Sequence, residues 1–343
     1  MKLKKYILSI LTSCIIISSF AQDAMADNML LFQRKYGGWP KHYLNKKIDY
    51  KKTYSSVEIA TIKDDENRND ATIDNGATTQ EIRYLVTAFK KTNNQSYLQA
   101  AERGIEYLFT AQYKNGGWPQ FYPDLSSYRH LITYNDNAIV NVLNVLFDVV
   151  CGLNDFEVVN ASYKTKAEKA IKSGIDCILK TQVKINNELT GWCQQYDENT
   201  LQVANARKFE LASLATLESV GIVQFLMRIQ SADTAVITAI HKAVAWLDKV
   251  KIEGYTSKII DDATKPNGKD RILLQDATET IWARFYDIED GKPIFVGRDG
   301  VKKYALTEIE HERRVGYGWY GNWPERLIKK DYLAWKKKNG ISI

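Results

Sequence analysis

Little in this sequence can be cross-linked, and neither sign of charge prevails. Four cysteines stand among 343 residues, and 47 Lys and Arg are opposed by 41 Asp and Glu. The first count excludes a disulfide scaffold: beyond the N-terminal segment only Cys151, Cys177 and Cys193 remain, enough for at most one bridge and leaving one thiol free. The second excludes the strongly basic surface that nucleic acid demands, so no nucleic-acid partner is expected. Also missing is any Pro-, Gly- or Ser-rich linker, which leaves one compact domain as the default for about 320 residues.

A long apolar run occurs only at the start. Lys2, Lys4 and Lys5 precede an apolar stretch from Tyr6 to Phe20 and then small residues, the order of a secretory signal. Residues 1–21 are expected to be removed, leaving 22–343 as a single domain, secreted or periplasmic and monomeric. The stretch is short for a membrane span and carries several Ser and Thr, so no integral membrane segment is expected afterwards. Leu11-Thr12-Ser13-Cys14 also suits a lipoprotein box, but the apolar run continues past it, which makes lipid anchoring the lesser expectation. Losing three lysines and no acid lowers the formal net charge from +6 to +3.

Helical periodicity fills the middle of the chain. Ile82, Leu85, Val86 and Phe89 recur at three- and four-residue steps in Thr79–Thr92, and Leu98, Ile105, Leu108 and Phe109 do so in Gln95–Tyr113. The pattern continues with Ile139, Val142, Leu143, Leu146 and Val150, then with Ile171, Ile175, Ile178 and Leu179. It ends with Leu211, Leu214, Leu217 and Leu226, then Val236, Ile240, Val244 and Leu247. These are six helices in three pairs, short connections within a pair and longer ones between pairs.

The longer connections repeat one another. Gly37-Gly38-Trp39-Pro40-Lys41 recurs as Gly116-Gly117-Trp118-Pro119-Gln120 and, more loosely, as Thr190-Gly191-Trp192-Cys193-Gln194; Gly321-Asn322-Trp323-Pro324 is a fourth echo. Trp39, Trp118 and Trp192 are 79 and 74 residues apart, one helical hairpin plus its loop. Singly, each copy reads as a helix end: Gly stops the helix and Pro prevents its continuation. Together they suit an all-α dominated chain whose three antiparallel hairpins, closing into a ring, would put these loops on one face, followed by a C-terminal part rich in loops and short strands.

A polar cluster follows each Trp loop: Thr72-Ile73-Asp74-Asn75-Gly76-Ala77-Thr78, then Thr133-Tyr134-Asn135-Asp136-Asn137-Ala138, then Asn205-Ala206-Arg207-Lys208-Phe209-Glu210. In a ring they would converge, bringing Asp74, Asp136 and Arg207 to one mouth. Any one cluster could be no more than a helix cap, but Thr78 with Glu81 already forms a capping-box pattern, leaving Asp74 free of that duty. Downstream, Arg284, Arg298, Arg313 and Arg314 stand among Tyr and Trp, as in a groove for a charged sugar or as a solvated surface. His311 between Glu310 and Glu312 is not expected to bind metal, because neighbours on one segment do not converge.

These segments resemble the catalytic module of polysaccharide lyase family ten, the pectate lyases with an (α/α)₃ toroid. The likeness rests on GGWPK at 37–41, TIDNGAT at 72–78, NGGWPQ at 115–120, TYNDNA at 133–138, NARKFEL at 205–211, RFYD at 284–287, PIFVGRD at 293–299 and IEHERR at 309–314. It spans essentially the whole chain after residue 21. It implies cleavage of polygalacturonate by β-elimination, with Arg207 as the base, Asp74 and Asp136 as the Ca²⁺ and substrate site, Arg284 and Arg298 on galacturonate carboxylates, and Asn75 and Lys41 as lesser contacts. The chain departs from the family pattern at Lys208 and Phe209, which bears on the packing beside Arg207.

An arginine base demands alkaline conditions. An isolated guanidinium has a pKa of about 12.5–13.8, so holding it neutral near pH 9 costs roughly 5 kcal/mol; nearby Arg and Ca²⁺ would reduce that cost, and an anionic substrate would add to it. Two other chemistries suit such a mouth: an inverting glycoside hydrolase with Asp74 and Asp136 as acid and base and no metal, and a non-catalytic module that binds acidic polysaccharide. The product distinguishes them: unsaturated uronide, saturated sugar, or none.

Overall fold

A computed structural model describes residues 23–230 and 232–341, so the expected signal segment lies outside the described residues. Helices α1 (Ala24–Phe32) and α2 (Ser56–Asp64) precede three helical hairpins: α3 (Thr79–Thr92) with α4 (Gln95–Ala111), α5 (Ala138–Cys151) with α6 (Ser162–Thr181), and α7 (Thr216–Leu226) with α8 (Thr234–Lys249). Successive inner helices α3, α5 and α7 pack side by side, and α4, α6 and α8 wrap them. The distinction follows from sequence: α5 and α7 are buried along most of their length, whereas α6 buries one stripe and turns its lysines outward. This is the helical toroid that the periodicity predicts. Among the described residues no helix is long and apolar enough to cross a membrane, and Cys151, Cys177 and Cys193 are all free thiols.

The Trp repeat has a physical basis that its sequence shows only in part. Each indole N–H donates to a carbonyl in the last turn of the preceding outer helix: Trp39 to Met29 at 2.7 Å, Trp118 to Leu108 at 2.7 Å and Trp192 to Ile178 at 2.8 Å. These carbonyls belong to the last four of their helices, which the backbone of the helix leaves unpaired. A second device accompanies the first. The side-chain amides of Gln33, Gln112 and Gln182 each donate to a carbonyl of their own loop (Gly37, Gly116, Thr190) and to one of the next outer helix (Ala100, Ala170, Ala239), all within 2.7–3.0 Å. By this linkage α1 heads the outer layer. Gly37 and Gly116 hold φ +94, and a Cβ there would collide with the backbone carbonyls of Arg103 and Ser173.

Four local expectations are corrected. The expected fourth echo at 321–324 is not a copy; Trp323 opens a short helix, and the fourth indole cap is Trp282, which donates to Leu247 O at 2.6 Å. Helix α7 begins at Thr216, so Leu211 lies in a loop and Leu214 in a short strand paired with Tyr286. Asn205–Glu210 therefore does not lead directly into a helix, and Arg207 belongs to an added loop, 197–213, between the short strands Gln195–Tyr196 and Leu214–Ala215. Thr78–Glu81 is not a capping box either: Thr78 has φ 66, accepts the Trp39 N–H at 2.9 Å and donates to Thr72 O at 2.8 Å. The C-terminal part is extended as expected, dominated by a long antiparallel hairpin of Ile252–Asp261 with Lys269–Ala283, and it also carries helix α9 (His311–Gly316).

The inner helices are bolted far from the loops. Asp148 of α5, 1% exposed, accepts from Arg83 of α3 at 2.6 Å and from Arg228 just beyond α7 at 2.9 Å. Glu81 is a different kind of buried acid. It accepts only the Tyr50 hydroxyl among side chains, at 3.0 Å, its second oxygen has no partner, and burial pushes its carboxyl up to about 7. The folded protein holds this proton more tightly than the unfolded chain, so stability falls as pH rises from the ordinary carboxylate range through 7. Glu81→Gln should therefore stabilise the protein by about 1–3 kcal/mol above pH 8 and by little below pH 5. Thermal unfolding of both proteins at pH 5 and pH 9 checks this; the same difference at both values would contradict it.

Candidate active site

Two turns at the loop face carry the acids. Their central residues, Asn75 and Asp136, share φ 50 and ψ 32, a left-handed conformation that Asn and Asp tolerate best. Matched on that residue, Asp74 corresponds to Asn135 and Asn75 to Asp136: acid and amide have changed places between the two repeats. In both turns the amide donates to the adjacent acid, Asn75 to Asp74 at 2.9 Å and Asn135 to Asp136 at 3.3 Å. Asp74 is buried and neutralised by Lys41 Nζ at 2.7 Å. Asp136 is partly exposed, and burial, then the charges of Glu218 and Asp74, push its carboxyl above the ordinary range against the pull of Arg284 and Lys41.

Behind Asp136 lies Glu218, in the first turn of α7 and without solvent exposure. Its Oε1 accepts from Arg284 Nη2 at 2.7 Å and from Gln194 Nε2 at 3.0 Å, while Arg284 Nη2 stands 3.7 Å from Asp136 Oδ1. Burial alone would lower the Arg284 pKa, but the acids around it outweigh that and raise it. Its guanidinium also lies 5.6–5.7 Å from the rings of Phe285, Tyr317 and Trp323.

Opposite the acids stands a wall of guanidiniums. Arg207, Arg298 and Arg313 all approach the ring of Phe209, at 5.1, 4.8 and 4.8 Å. They differ in their partners. Arg207 is bidentate on Glu210, which holds its pKa well above the usual arginine value. Arg298 pairs with Glu312 in solvent at 2.9 and 3.2 Å, and this too raises it. Arg313 forms no ion pair among the described residues, its Nε is buried without a partner, and burial and the neighbouring Arg298 lower its pKa. Asp74 lies close enough for its charge to act on Arg207, so acids and arginines share one mouth.

Of the residues expected from sequence, Lys41, Asp74, Asn75, Asp136 and Arg284 come together on the acidic side, and Arg207 and Arg298 on the Phe209 wall. Sequence reasoning missed Glu218 and Gln194 and left Arg313 open. Glu218 carried one signal, as the lone charged residue in the mostly apolar Thr216–Leu226. His311 Nε2 lies 2.6 Å from a backbone carbonyl, Lys269 O. Among the described residues no three His, Cys, Asp or Glu side chains cluster as a metal shell. Asp74 and Asp136 would supply only part of one.

A mouth that sets two carboxylates against an unneutralised guanidinium suits a polymer whose units are themselves acids, and a ring of helical hairpins presenting it is the architecture of a polysaccharide lyase. Comparison with known proteins gives the family. Residues 33–328 match the family model described as pectic acid lyase, and the chain belongs to that family. It resembles the family 10 polysaccharide lyase from Cellvibrio cellulosa at 33% identity over 93% of this chain and 92% of that one, with a TM-score of 0.78. An aspartate-to-alanine mutant of the Cellvibrio lyase, solved in complex with trigalacturonic acid, matches at 32% identity over 92% of each chain, again with a TM-score of 0.78. No curated protein matches.

Proposed function

We propose that this lyase cleaves de-esterified polygalacturonate, a 1,4-α-D-galacturonan, by calcium-assisted anti β-elimination, releasing 4,5-unsaturated oligogalacturonides. The observation that carries the reading is the Phe209 wall, three guanidiniums around one ring with Asp74 near enough for its charge to act on Arg207. Arg284 and the wall would hold uronate carboxylates by paired charge-assisted hydrogen bonds. Elimination breaks C5–H and C4–O4 and forms the C4=C5 bond: the proton passes to a neutral arginine, and O4 leaves with its electron pair and is protonated.

Asp74 and Asp136 suit a hard cation shared with substrate. Their donors are oxygen only, burial and then the charges of Glu218 and Asp74 disfavour a bare Asp136 carboxylate without a bound cation, and Glu218 Oε2 and Asn137 Oδ1 are buried nearby without partners. Calcium there would bind the substrate carboxylate and stabilise the enolate-like charge developing beside it. Lys41 and Asn75 orient Asp74 through a salt bridge at 2.7 Å and a hydrogen bond at 2.9 Å. The protein acts as a monomer outside the cytoplasm after loss of residues 1–21.

One assay tests the proposal. Polygalacturonate should yield an ultraviolet-absorbing unsaturated product, chelator should abolish the reaction, added Ca²⁺ should restore it, and highly methyl-esterified pectin should react poorly. Saturated reducing ends without absorbance would point to the hydrolase, and binding without cleavage to a carbohydrate-binding module.

A further inference from the structure

Arg284 has two carboxylates within reach and is held by the one that substrate cannot touch. Its Nη2 lies 2.7 Å from Glu218 Oε1 and 3.7 Å from Asp136 Oδ1. Glu218 is wholly buried, and one oxygen does all its work: Oε1 also accepts from Gln194 Nε2 at 3.0 Å and from the Asp136 N–H at 3.4 Å, while Oε2 has no partner. Gln194 in turn donates to Asn135 Oδ1 at 2.7 Å. Glu218 thus ties together the second acid turn, the third Trp loop and the C-terminal arginine, three segments far apart in sequence.

Stability alone does not account for this arrangement. A buried carboxylate with all its donors on one oxygen, facing an arginine whose Nε is also unpartnered, is incompletely satisfied, and apolar packing would serve the core as well. Its effect on Asp136 is specific. Without the Glu218 charge, the nearest anion to Arg284 is Asp136, and closing their 3.7 Å separation to a direct hydrogen bond would neutralise the acid that faces the ligand. We infer that Glu218 is a positioning residue: it holds the Arg284 guanidinium off Asp136, keeping that carboxylate open to a divalent cation shared with substrate. The inference rests on the role proposed above for Asp136.

Glu218→Gln keeps an oxygen for Arg284 and removes the charge. A crystal structure of this variant should show Arg284 within hydrogen-bond distance of an Asp136 carboxylate oxygen. Calorimetry with trigalacturonic acid in calcium should show at least tenfold weaker binding, with turnover at saturating polygalacturonate falling less than affinity. In Glu218→Gln combined with Arg284→Gln no guanidinium is left to close on Asp136, so the calcium dependence of binding should recover although the arginine contact is lost, a non-additive result. Unchanged affinity in the folded single variant, or simple additivity in the double, would overturn the proposal. Should Glu218→Gln not fold, Glu218→Asp, which draws the charge back by one methylene, carries the same test; if neither folds, Glu218 is a folding residue and the proposal falls. Asp136→Ala is the reference: if it too binds as the parent does, the assignment of Asp136 fails, whereas weakened binding there beside unchanged Glu218→Gln removes only this inference.

Discussion

Lysine substitution along the Phe209 wall should separate proton abstraction from carboxylate binding. Among Arg207→Lys, Arg298→Lys and Arg313→Lys, one variant is expected to lose about 10²–10⁴-fold in turnover, the usual worth of a general base, while the other two mainly raise KM. Lysine preserves the charge that anchors a carboxylate but not the planar guanidine that would receive the C5 proton. The sequence points to Arg207, yet in the unliganded protein its pair with Glu210 stabilises the charged form and opposes that duty. Arg207 can serve only if substrate draws Glu210 away; Arg298 must shed only an exposed partner, and Arg313 already lies below the usual arginine value. The parent's turnover should climb about tenfold per pH unit on the acid side of the base's pKa, since only the neutral form abstracts. Turnover and KM of all three variants against pH decide the matter, and near-parental turnover in every one would remove arginine as the base.

Removing either mouth carboxylate should be nearly as damaging. Asp136→Ala and Asp74→Ala are each expected to cost at least about 10²-fold in turnover, the scale of losing a preorganised electrostatic contact in a closed site. Their calcium responses should differ. Asp74 is paired with Lys41 at 2.7 Å, whereas the cation beside Asp136, Arg284, stands off at 3.7 Å, so Asp136→Ala should shift half-maximal calcium further. Activity measured across a calcium series for both variants tests this, and parental activity in either would take that residue out of the site.

Much of this architecture could be read from the chain because it is local. The helices repeat their apolar residues every three or four positions, and the Trp loops carry Gly and Pro where helices must end. What escaped depends on contacts distant in sequence. Leu211 and Leu214 keep helical spacing with Leu217, but Leu214–Ala215 pairs with Phe285–Tyr286 and delays α7 to Thr216. Trp282 caps a helix without any Gly-Gly before it, because a strand rather than a turn delivers it. At the mouth, Asp74 and Asp136 stood out as paired polar clusters, while Glu218 looked like one acid on a helix, and only Arg284, 66 residues later, reveals its place. Phe209, a departure from the family pattern, became legible once three guanidiniums met on its ring.

The Gln and Trp brackets of the outer layer also bear on how such a mouth can change. Each closes on its own loop and on the neighbouring helix, so the length of chain inside a bracket is of little concern to the ring. Gln precedes Trp by six residues in the first two brackets and by ten in the third, yet all three make the same bonds. A loop can therefore lengthen beside a bracket without loosening the wall it hangs on, and loop 197–213, which carries Arg207 and Phe209, begins and ends on short strands beside the third bracket. The ring is a chassis, and new specificity can be fitted to it one loop at a time.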